Sequence, residues 1–354
     1  MVVREDVLLS DYTTLAVGGP ARYFVEASNE DDVARAVELS SRHTLPLFVM
    51  GGGSNLLVSD AGYPGIVLRM ATRGIVPAEM AGGGGAATES FQVEAGEDWD
   101  TFVAHCVDRG LGGVECLSGI PGSVGGTPVQ NVGAYGQEVS TVISRVRAYD
   151  RTSGRMVEID NADCGFSYRT SRFNTTSRDQ FIIQSVDFKL VKGQAANIQY
   201  RDVARYFEGK PSLPTLAEVR QVVRAIRRQK AMLIVPGDPD CRSAGSFFKN
   251  PVVEETTYLR IEATAGPGVP KFPAAAGSVK IPAAWLIEKS GFHRGHARGG
   301  AAISSRHTLA LTNRAGATAR DILELAREIR DGVRARFGIE LRPEPVFLGF
   351  EEEF

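Results

Sequence analysis

The segment Ser118-Gly-Ile-Pro-Gly-Ser-Val-Gly-Gly-Thr-Pro-Val-Gln-Asn-Val-Gly-Ala-Tyr-Gly136 sets the terms for the whole chain. Glycine adopts positive φ without steric cost and lets a ligand approach the backbone closely. Pro121 and Pro128 fix φ and stiffen a segment that is otherwise floppy. Successive N–H groups in such turns form anion-binding concavities, and Gln130 and Asn131 add amides that both donate and accept. The stretch reads as a cradle for a phosphate-bearing cofactor. The plainer alternative is a glycine-rich surface loop.

A second glycine cluster lies upstream. Leu45-Pro-Leu-Phe-Val-Met50 reads as a buried strand and runs directly into Gly51-Gly-Gly-Ser-Asn-Leu56. No glycine follows Gly53 at the spacing of a dinucleotide-fold fingerprint, and no helical pattern starts there, so that motif fails its own context. Ser54 and Asn55 can still hydrogen-bond a pyrophosphate; a hairpin turn is the bland alternative. The two clusters flank one α/β unit, as expected if both hold one extended ligand.

At 354 residues the chain is long enough for two or three units. Its 43% apolar and 23% charged residues are ordinary for a soluble globular protein, and a net charge of −2 gives no reason to expect nucleic acid or anionic membrane as a partner. The four cysteines form no Cys-x-x-Cys pair, which suggests reduced thiols in a cytosolic protein. Met1-Val-Val-Arg-Glu-Asp6 lacks the apolar core of a signal peptide, and no run approaches the ~20 apolar residues of a membrane span. The five histidines lack metal-ligand spacing, so no metal is expected.

Along the chain, Arg22-Tyr-Phe-Val25 reads as a strand, and Ser28 with Asp31 as the capping box of a helix carrying Val33, Ala36, Val37 and Leu39. The stretch Pro77–Ser90, with four consecutive glycines at Gly82–Gly85, reads as a low-complexity loop and is assigned no chemistry. Phe91–Ala95 is a strand, and Trp99–Leu111 an amphipathic helix. Val142–Tyr149, Met156–Ile159 and Phe181–Leu190 are further strands. Arg169, after Tyr168 in an aromatic-rich run, is either a guanidinium in a dry pocket or an ordinary surface arginine. Thr215 and Glu218 cap a helix ending in Arg227-Arg-Gln-Lys230. That basic cluster either answers the helix dipole or binds phosphate. Ser246-Phe-Phe-Lys-Asn250 mixes polar and apolar groups as a pocket wall does. Thr318 and Asp321 cap the last helix, which Gly338 stops. Glu344 sits between two prolines in an apolar strand, either at an edge or buried with a purpose.

Taken together, these stretches resemble the UDP-N-acetylenolpyruvoylglucosamine reductases, also called UDP-N-acetylmuramate dehydrogenases, and within them the subtype with a longer loop. The matching residues are Gly51-Gly-Gly-Ser-Asn55, Gly119-Ile-Pro-Gly-Ser123, Gln130-Asn-Val-Gly-Ala-Tyr-Gly136, Tyr168-Arg169, Gly245-Ser-Phe-Phe-Lys-Asn-Pro251 and Pro343-Glu344, in the family's order and over nearly the whole chain. The resemblance implies a multidomain α+β and α/β fold. A vanillyl-alcohol-oxidase-type (PCMH-like) FAD-binding module would occupy 1–75 and 76–212, and a substrate-binding α+β domain 213–354. It also implies non-covalent FAD held by Gly51, Gly52, Gly53, Ser54, Asn55, Gly119, Ile120, Pro121, Gly122, Ser123, Gly126, Gln130, Asn131, Gly133, Ala134 and Tyr135. NADPH would reduce that flavin, and the product would be UDP-N-acetylmuramate, in a cytoplasmic step of peptidoglycan synthesis. A monomer is expected.

By the same resemblance, Arg169 and Glu344 stabilise an enolate-like state and Ser246 supplies the proton to the α-carbon. Glu344 would need to be protonated to donate, which burial favours. Tyr168, Tyr200, Lys230, Asn250, Phe272 and His307 fall at substrate-binding positions, and Glu254–Lys280 is long enough for a substrate-covering loop. Phe272 stands where members of that subtype carry a tyrosine, and His307 where some carry glutamine. Arg342 and Pro345 also depart from the family pattern. Two rivals remain on the same residues: a flavin-dependent alcohol or sugar oxidase, and a non-catalytic flavin- or UDP-sugar-binding protein. Neither gives Ser246 and Glu344 an obvious task.

Overall fold

Local capping chemistry accounts for most of the helices. In the computed structural model, which describes residues 1–78, 88–351 and 354, helix α1 spans Glu30–His43. Its cap is Asn29, whose side chain accepts from the Asp32 N–H at 2.9 Å, one residue beyond the expected Ser28. Ser28 N–H donates instead to the Asp32 carboxylate at 3.1 Å. The acids Glu30, Asp31 and Asp32 favour that end of the helix dipole. Helix α2 (Trp99–Asp108) is capped by Asp98, and α3 (Arg201–Ala204) is a single turn. Helix α4 (Leu216–Gln229) opens on the Thr215–Glu218 box read from the sequence, with both reciprocal bonds made. Helices α5 (Glu255–Ala265), α6 (Ala283–Lys289) and α7 (Ala319–Phe337) follow. Thr318 and Asp321 box the start of α7, and Gly338 ends it at φ 68°, a left-handed cap suited to glycine.

The chain forms two units: Met1–Val7, Ala21–Gly53 and Tyr63–Gln229 in one, and Leu8–Pro20, Ser54–Gly62 and Lys230–Phe354 in the other. Among the described residues the first unit holds the two-stranded ladder of Gly133–Ala134 with Gln137–Glu138 and two larger sheets. In one, strands Pro20–Ala27 and Leu47–Met50 both pair parallel to Tyr63–Met70. In the other, the order is Arg155–Asp160, Ile143–Asp150, Phe181–Lys192, Thr88–Glu94 and Ile75–Pro77, all antiparallel. Its core includes Trp99, Phe102 and Phe188, with α2 laid against the antiparallel sheet.

In the second unit, Ser243–Ser246, Ala310–Asn313, Ala301–Ile303 and Ala297–Arg298 form an antiparallel sheet against which α7 packs. Leu56–Val58 pairs parallel with Val346–Leu348, so the stretch after the first glycine cluster is tied to the chain's end. The segment expected to form a covering loop folds as α5 and a small sheet of Val252–Glu254, Ser278–Lys280 and Phe272–Pro273. Phe247 and Phe248 are each 1% exposed and belong to this unit's core, so they are packing residues and not a pocket wall. Gly82–Gly85 lies outside the described residues. Among the described residues no helix is long and apolar enough to cross a membrane.

Candidate active site

The Ser118–Gly136 segment owes its place to the turn between strand Thr88–Glu94 and α2. Gly125 N–H donates to Ala95 O (2.8 Å), Val124 N–H to Glu97 O (2.9 Å) and Trp99 N–H to Gly122 O (3.1 Å). The Trp99 indole N–H donates to Leu117 O at 3.1 Å. The buried tryptophan therefore anchors the segment's start while its ring fills the core.

The two glycine clusters of the first unit meet backbone to backbone. A Cβ on Gly52 would lie 2.6 Å from Gly122 Cα and 3.1 Å from Ser123 N, and one on Gly51 would lie 2.5 Å from Ser123 Oγ. Neither has a positive φ recorded, so at these positions glycine is needed for space. Gly53 (φ 65°), Gly119 (φ 71°) and Gly122 (φ 132°) are needed for conformation. Ser123 Oγ is buried beside this junction and finds no hydrogen-bond partner in the protein. A buried hydroxyl left so is costly unless a ligand or water completes it.

Three residues that are not glycine take left-handed backbone here: Asn131 (φ 45°), Tyr135 (φ 48°) and Arg169 (φ 55°). Asparagine tolerates this well, whereas tyrosine and arginine are strained by it. The Asn131 amide is committed inside the fold. Its Nδ2 donates to Glu138 (2.9 Å) and Ser167 O (3.1 Å), and its Oδ1 accepts from Ser140 N–H (3.2 Å). With 1% exposure it shapes the loop from behind. Arg169, half-buried, donates through Nη2 to Gly133 O at 2.7 Å, and its guanidinium lies 5.4 Å from the Tyr168 ring. A Cβ on Gly133 would lie 2.8 Å from Glu138 Cγ, 2.9 Å from Gln137 O and 3.2 Å from Arg169 Nη1, so this glycine clears room first for the paired strand Gln137–Glu138 and then for the arginine. Tyr135 and Tyr200 meet edge to face at 5.4 Å. Ile120 and Ala134 pack on the core, Gly126 is exposed, and Pro121 and Gln130 are half-buried.

In the second unit, Ser246 ends the strand Ser243–Ser246 and pairs with Ala310. Phe247 N–H donates to Leu309 O at 2.7 Å, and Glu344 N–H donates to Phe247 O at 2.8 Å. A further bond joins Lys249 N–H to Arg342 O at 3.0 Å. The half-buried Glu344 thus pairs through its backbone with Phe247, the residue after the half-buried Ser246, and sits in an irregular step ahead of Val346–Leu348. Asn55 secures that step from the other side: its Nδ2 donates to Glu344 O (3.3 Å) and its carbonyl accepts from Val346 N–H (2.9 Å). Ser54 O accepts from the Thr14 hydroxyl at 3.5 Å. His307 lies in the turn leading to Ala310, whose N–H donates to His307 O. Asn250 Oδ1 accepts from Ala283 N–H at 2.9 Å and so serves the N-terminus of α6. Phe272 is 46% exposed on its short strand, and Lys230 is half-buried just past α4.

At the first unit's site Arg220, Arg224, Asp100 and Glu115 join Arg227 of the basic cluster that ends α4. Arg220, Arg224 and Arg227 fall on one face of α4, beside the apolar stripe of Val219, Val223 and Ile226. Arg220 and Arg224 pair with Asp100 of α2, and Arg227 Nε donates to Gly119 O at 3.0 Å. Burial pushes the Arg227 guanidinium below its usual value, partly offset by Tyr135 and Asp100. Glu115, 1% exposed, accepts from Gly113 N–H, Gln137 Nε2 and Asn197 N–H. It staples the segment ahead of Tyr200 to the loop. The i, i+4, i+7 spacing of the arginines was visible in the sequence; their carboxylate partner was not.

The fold and the joined glycine loops define an α/β protein with a flavin-nucleotide module. An FAD binding domain model matches residues 21–160, and the UDP-N-acetylenolpyruvoylglucosamine reductase C-terminal domain model matches 238–348. The chain is 45% identical over 353 residues to the UDP-N-acetylenolpyruvoylglucosamine reductase of Thermobifida fusca, covering 98% of each chain. It is 47% identical over 350 residues to that of Saccharopolyspora erythraea, covering 96% of this chain and 94% of the relative. Among solved structures, the crystal structure of UDP-N-acetylenolpyruvylglucosamine reductase from Thermus caldophilus matches with a TM-score of 0.66 at 27% identity, covering 98% of this chain and 100% of that one. The chain belongs to the UDP-N-acetylenolpyruvoylglucosamine reductase family. Its multidomain α/β fold, with an FAD-binding module ahead of a C-terminal domain, is that of the family.

Proposed function

We propose that this protein reduces the enolpyruvyl group of UDP-N-acetylenolpyruvoylglucosamine to the lactyl ether of UDP-N-acetylmuramate, at the expense of NADPH, in the cytoplasm and as a monomer. The division into 1–75, 76–212 and 213–354 is part of the same proposal. The observation that supports the reading is the backbone bond from Glu344 N–H to the carbonyl of Phe247, the residue after Ser246, within the second unit. An oxidase or a passive binder has no obvious use for Ser246 and Glu344.

The residues fit FAD. Gly51, Gly52, Gly122 and Ser123 meet where no Cβ can enter, and the orphaned Ser123 hydroxyl suits a phosphate oxygen. FAD held there, once reduced by NADPH, would supply the hydride for the terminal vinyl carbon. The Arg169 guanidinium meets the substrate carboxylate, where negative charge accumulates, and its bond to Gly133 O fixes its orientation. Glu344 adds a hydrogen bond from its protonated carboxyl. Ser246 Oγ–H delivers the proton to the α-carbon, which completes addition of hydride and proton across the double bond. Lys230 meets the diphosphate, and Tyr168, Tyr200, Asn250, Phe272 and His307 line the substrate.

The two half-reactions test this. Ser246→Ala keeps NADPH-driven flavin reduction and loses substrate-driven reoxidation by about 10²–10⁴-fold, the range of general acid catalysis. Equal losses in both halves contradict the assignment and give Ser246 a structural or flavin-binding role.

A further inference from the structure

Asp100 does not belong to the reacting set, yet its carboxylate accepts from the backbone of the cofactor loop and from two arginines of α4. It occupies the second position of α2. Its Oδ1 accepts from Gly119 N–H at 2.6 Å and from Arg220 Nη1 at 2.5 Å. Its Oδ2 accepts from Arg220 Nη2 at 3.1 Å and from Arg224 Nη1. Arg227, one turn further along α4, holds the carbonyl of the same Gly119 at 3.0 Å. Both polar groups of the Gly119 peptide are therefore bonded within the fold, so its N–H is a fixed point of the loop and not a donor to a ligand. Such charge-assisted bonds are shorter and roughly twice as strong as neutral ones.

We propose that Asp100 is a positioning residue for the cofactor loop: by tying Gly119 to the arginine face of α4, it shapes Ser118–Gly136 before any ligand arrives. The proposal rests on the reading of that loop as the FAD site. Charge arithmetic supports it. Three guanidiniums of α4 face this junction, and Asp100 is the carboxylate that two of them share. Without its charge, Arg220 and Arg224 are like charges one helical turn apart, which repel. Gly119, at φ 71°, then loses the acceptor that fixes its peptide plane. The loop relaxes, and part of the binding energy of FAD goes into ordering it again. An ion pair that merely stabilised the fold would lower the melting temperature and leave the affinity of the folded protein for FAD untouched.

The experiment is a titration of apo-protein with FAD, followed by quenching of flavin fluorescence and by the visible absorption band of the bound flavin. The proteins are wild type, Asp100→Ala and Asp100→Asn, each with its melting temperature. Asp100→Ala removes both the Gly119 acceptor and the arginine anchor. Its Kd for FAD rises by about 10- to 100-fold, the worth of a lost hydrogen bond to a charged group. Asp100→Asn keeps an oxygen for Gly119 and loses the charge, so its Kd rises by less. Should Asp100→Ala fail to fold, Asp100→Asn decides alone. Wild-type Kd and an unshifted flavin band in the folded variants overturn the proposal, whatever happens to the melting temperature. Failure of the wild type to bind FAD overturns the FAD reading itself, and the proposal with it.

Discussion

Gly52→Ala tests the junction of the two glycine loops directly. The added Cβ lies 2.6 Å from Gly122 Cα, 2.9 Å from Gly122 C and 3.1 Å from Ser123 N. Carbon atoms in contact rest about 3.5–4.0 Å apart, so the loops must part by about 1 Å. The obstructing atoms are backbone, and no side-chain rotation relieves them. Overpacking of this kind costs about 1–3 kcal/mol, which corresponds to a fall of about 2–10 °C in Tm for a chain of this size. The effect on FAD is larger. A displacement of about 1 Å takes a hydrogen-bond donor out of range, and each bond lost to a charged oxygen is worth about 1.5–3 kcal/mol, roughly 10- to 100-fold in Kd. Wild-type and Gly52→Ala apo-proteins are titrated with FAD and melted. Equal FAD affinity in Gly52→Ala and wild type refutes the reasoning.

Three further expectations follow from the geometry. Asn250→Asp keeps an oxygen for Ala283 N–H and loses the amide donor. Tm is therefore retained while KM for the UDP-sugar rises about tenfold, the worth of one hydrogen bond; an unchanged KM confines Asn250 to capping α6. Burial pushes the Asp100 carboxyl up, but Arg220, the Gly119 N–H and Arg224 outweigh it and hold it below 3.8. Its stabilisation is therefore complete above 3.8 and is lost as pH falls through the lower folded value. Wild type then loses Tm more steeply than Asp100→Asn as pH falls below about 4, and parallel curves contradict this. All four cysteines are buried, and burial pushes the Cys164 thiol up to about 12 and raises Cys106 and Cys116 as well. A thiol reagent at neutral pH should label native protein far more slowly than unfolded protein; fast labelling of the native state refutes that burial.

What was legible in the sequence was local. The boxes Thr215–Glu218 and Thr318–Asp321 and the stop at Gly338 are set by residues within a turn of each other, and all three form. The α1 cap slipped by one because Ser28 and Asn29 are both good caps, and Asn29 has the favourable Asp32 at its reach. Helix α5 escaped notice because it buries only Tyr258 and Ile261, too thin a stripe beside Thr256 and Thr257 to read as helical. The glycine clusters were recognised as candidates, but not why each glycine is required. Gly52 needs Gly122, 70 positions away in sequence, before its missing side chain means anything. Asp100 was hidden for the same reason. Its arginine partners lie on a helix that begins more than a hundred residues later. Chemistry carried by a motif shows in one dimension, whereas a residue that acts by holding a motif in place shows only once the chain has folded.

The central claim is that reduced flavin on this protein gives its electrons to an enolpyruvyl UDP-sugar. The direct measurement is anaerobic: load the protein with FAD, bleach the flavin with one equivalent of NADPH, then mix with UDP-N-acetylenolpyruvoylglucosamine and follow the visible absorbance. The account predicts rapid and complete return of the oxidised flavin spectrum, with one equivalent of UDP-N-acetylmuramate formed. Flavin that stays reduced with the sugar present, and is reoxidised only when oxygen is admitted, contradicts it.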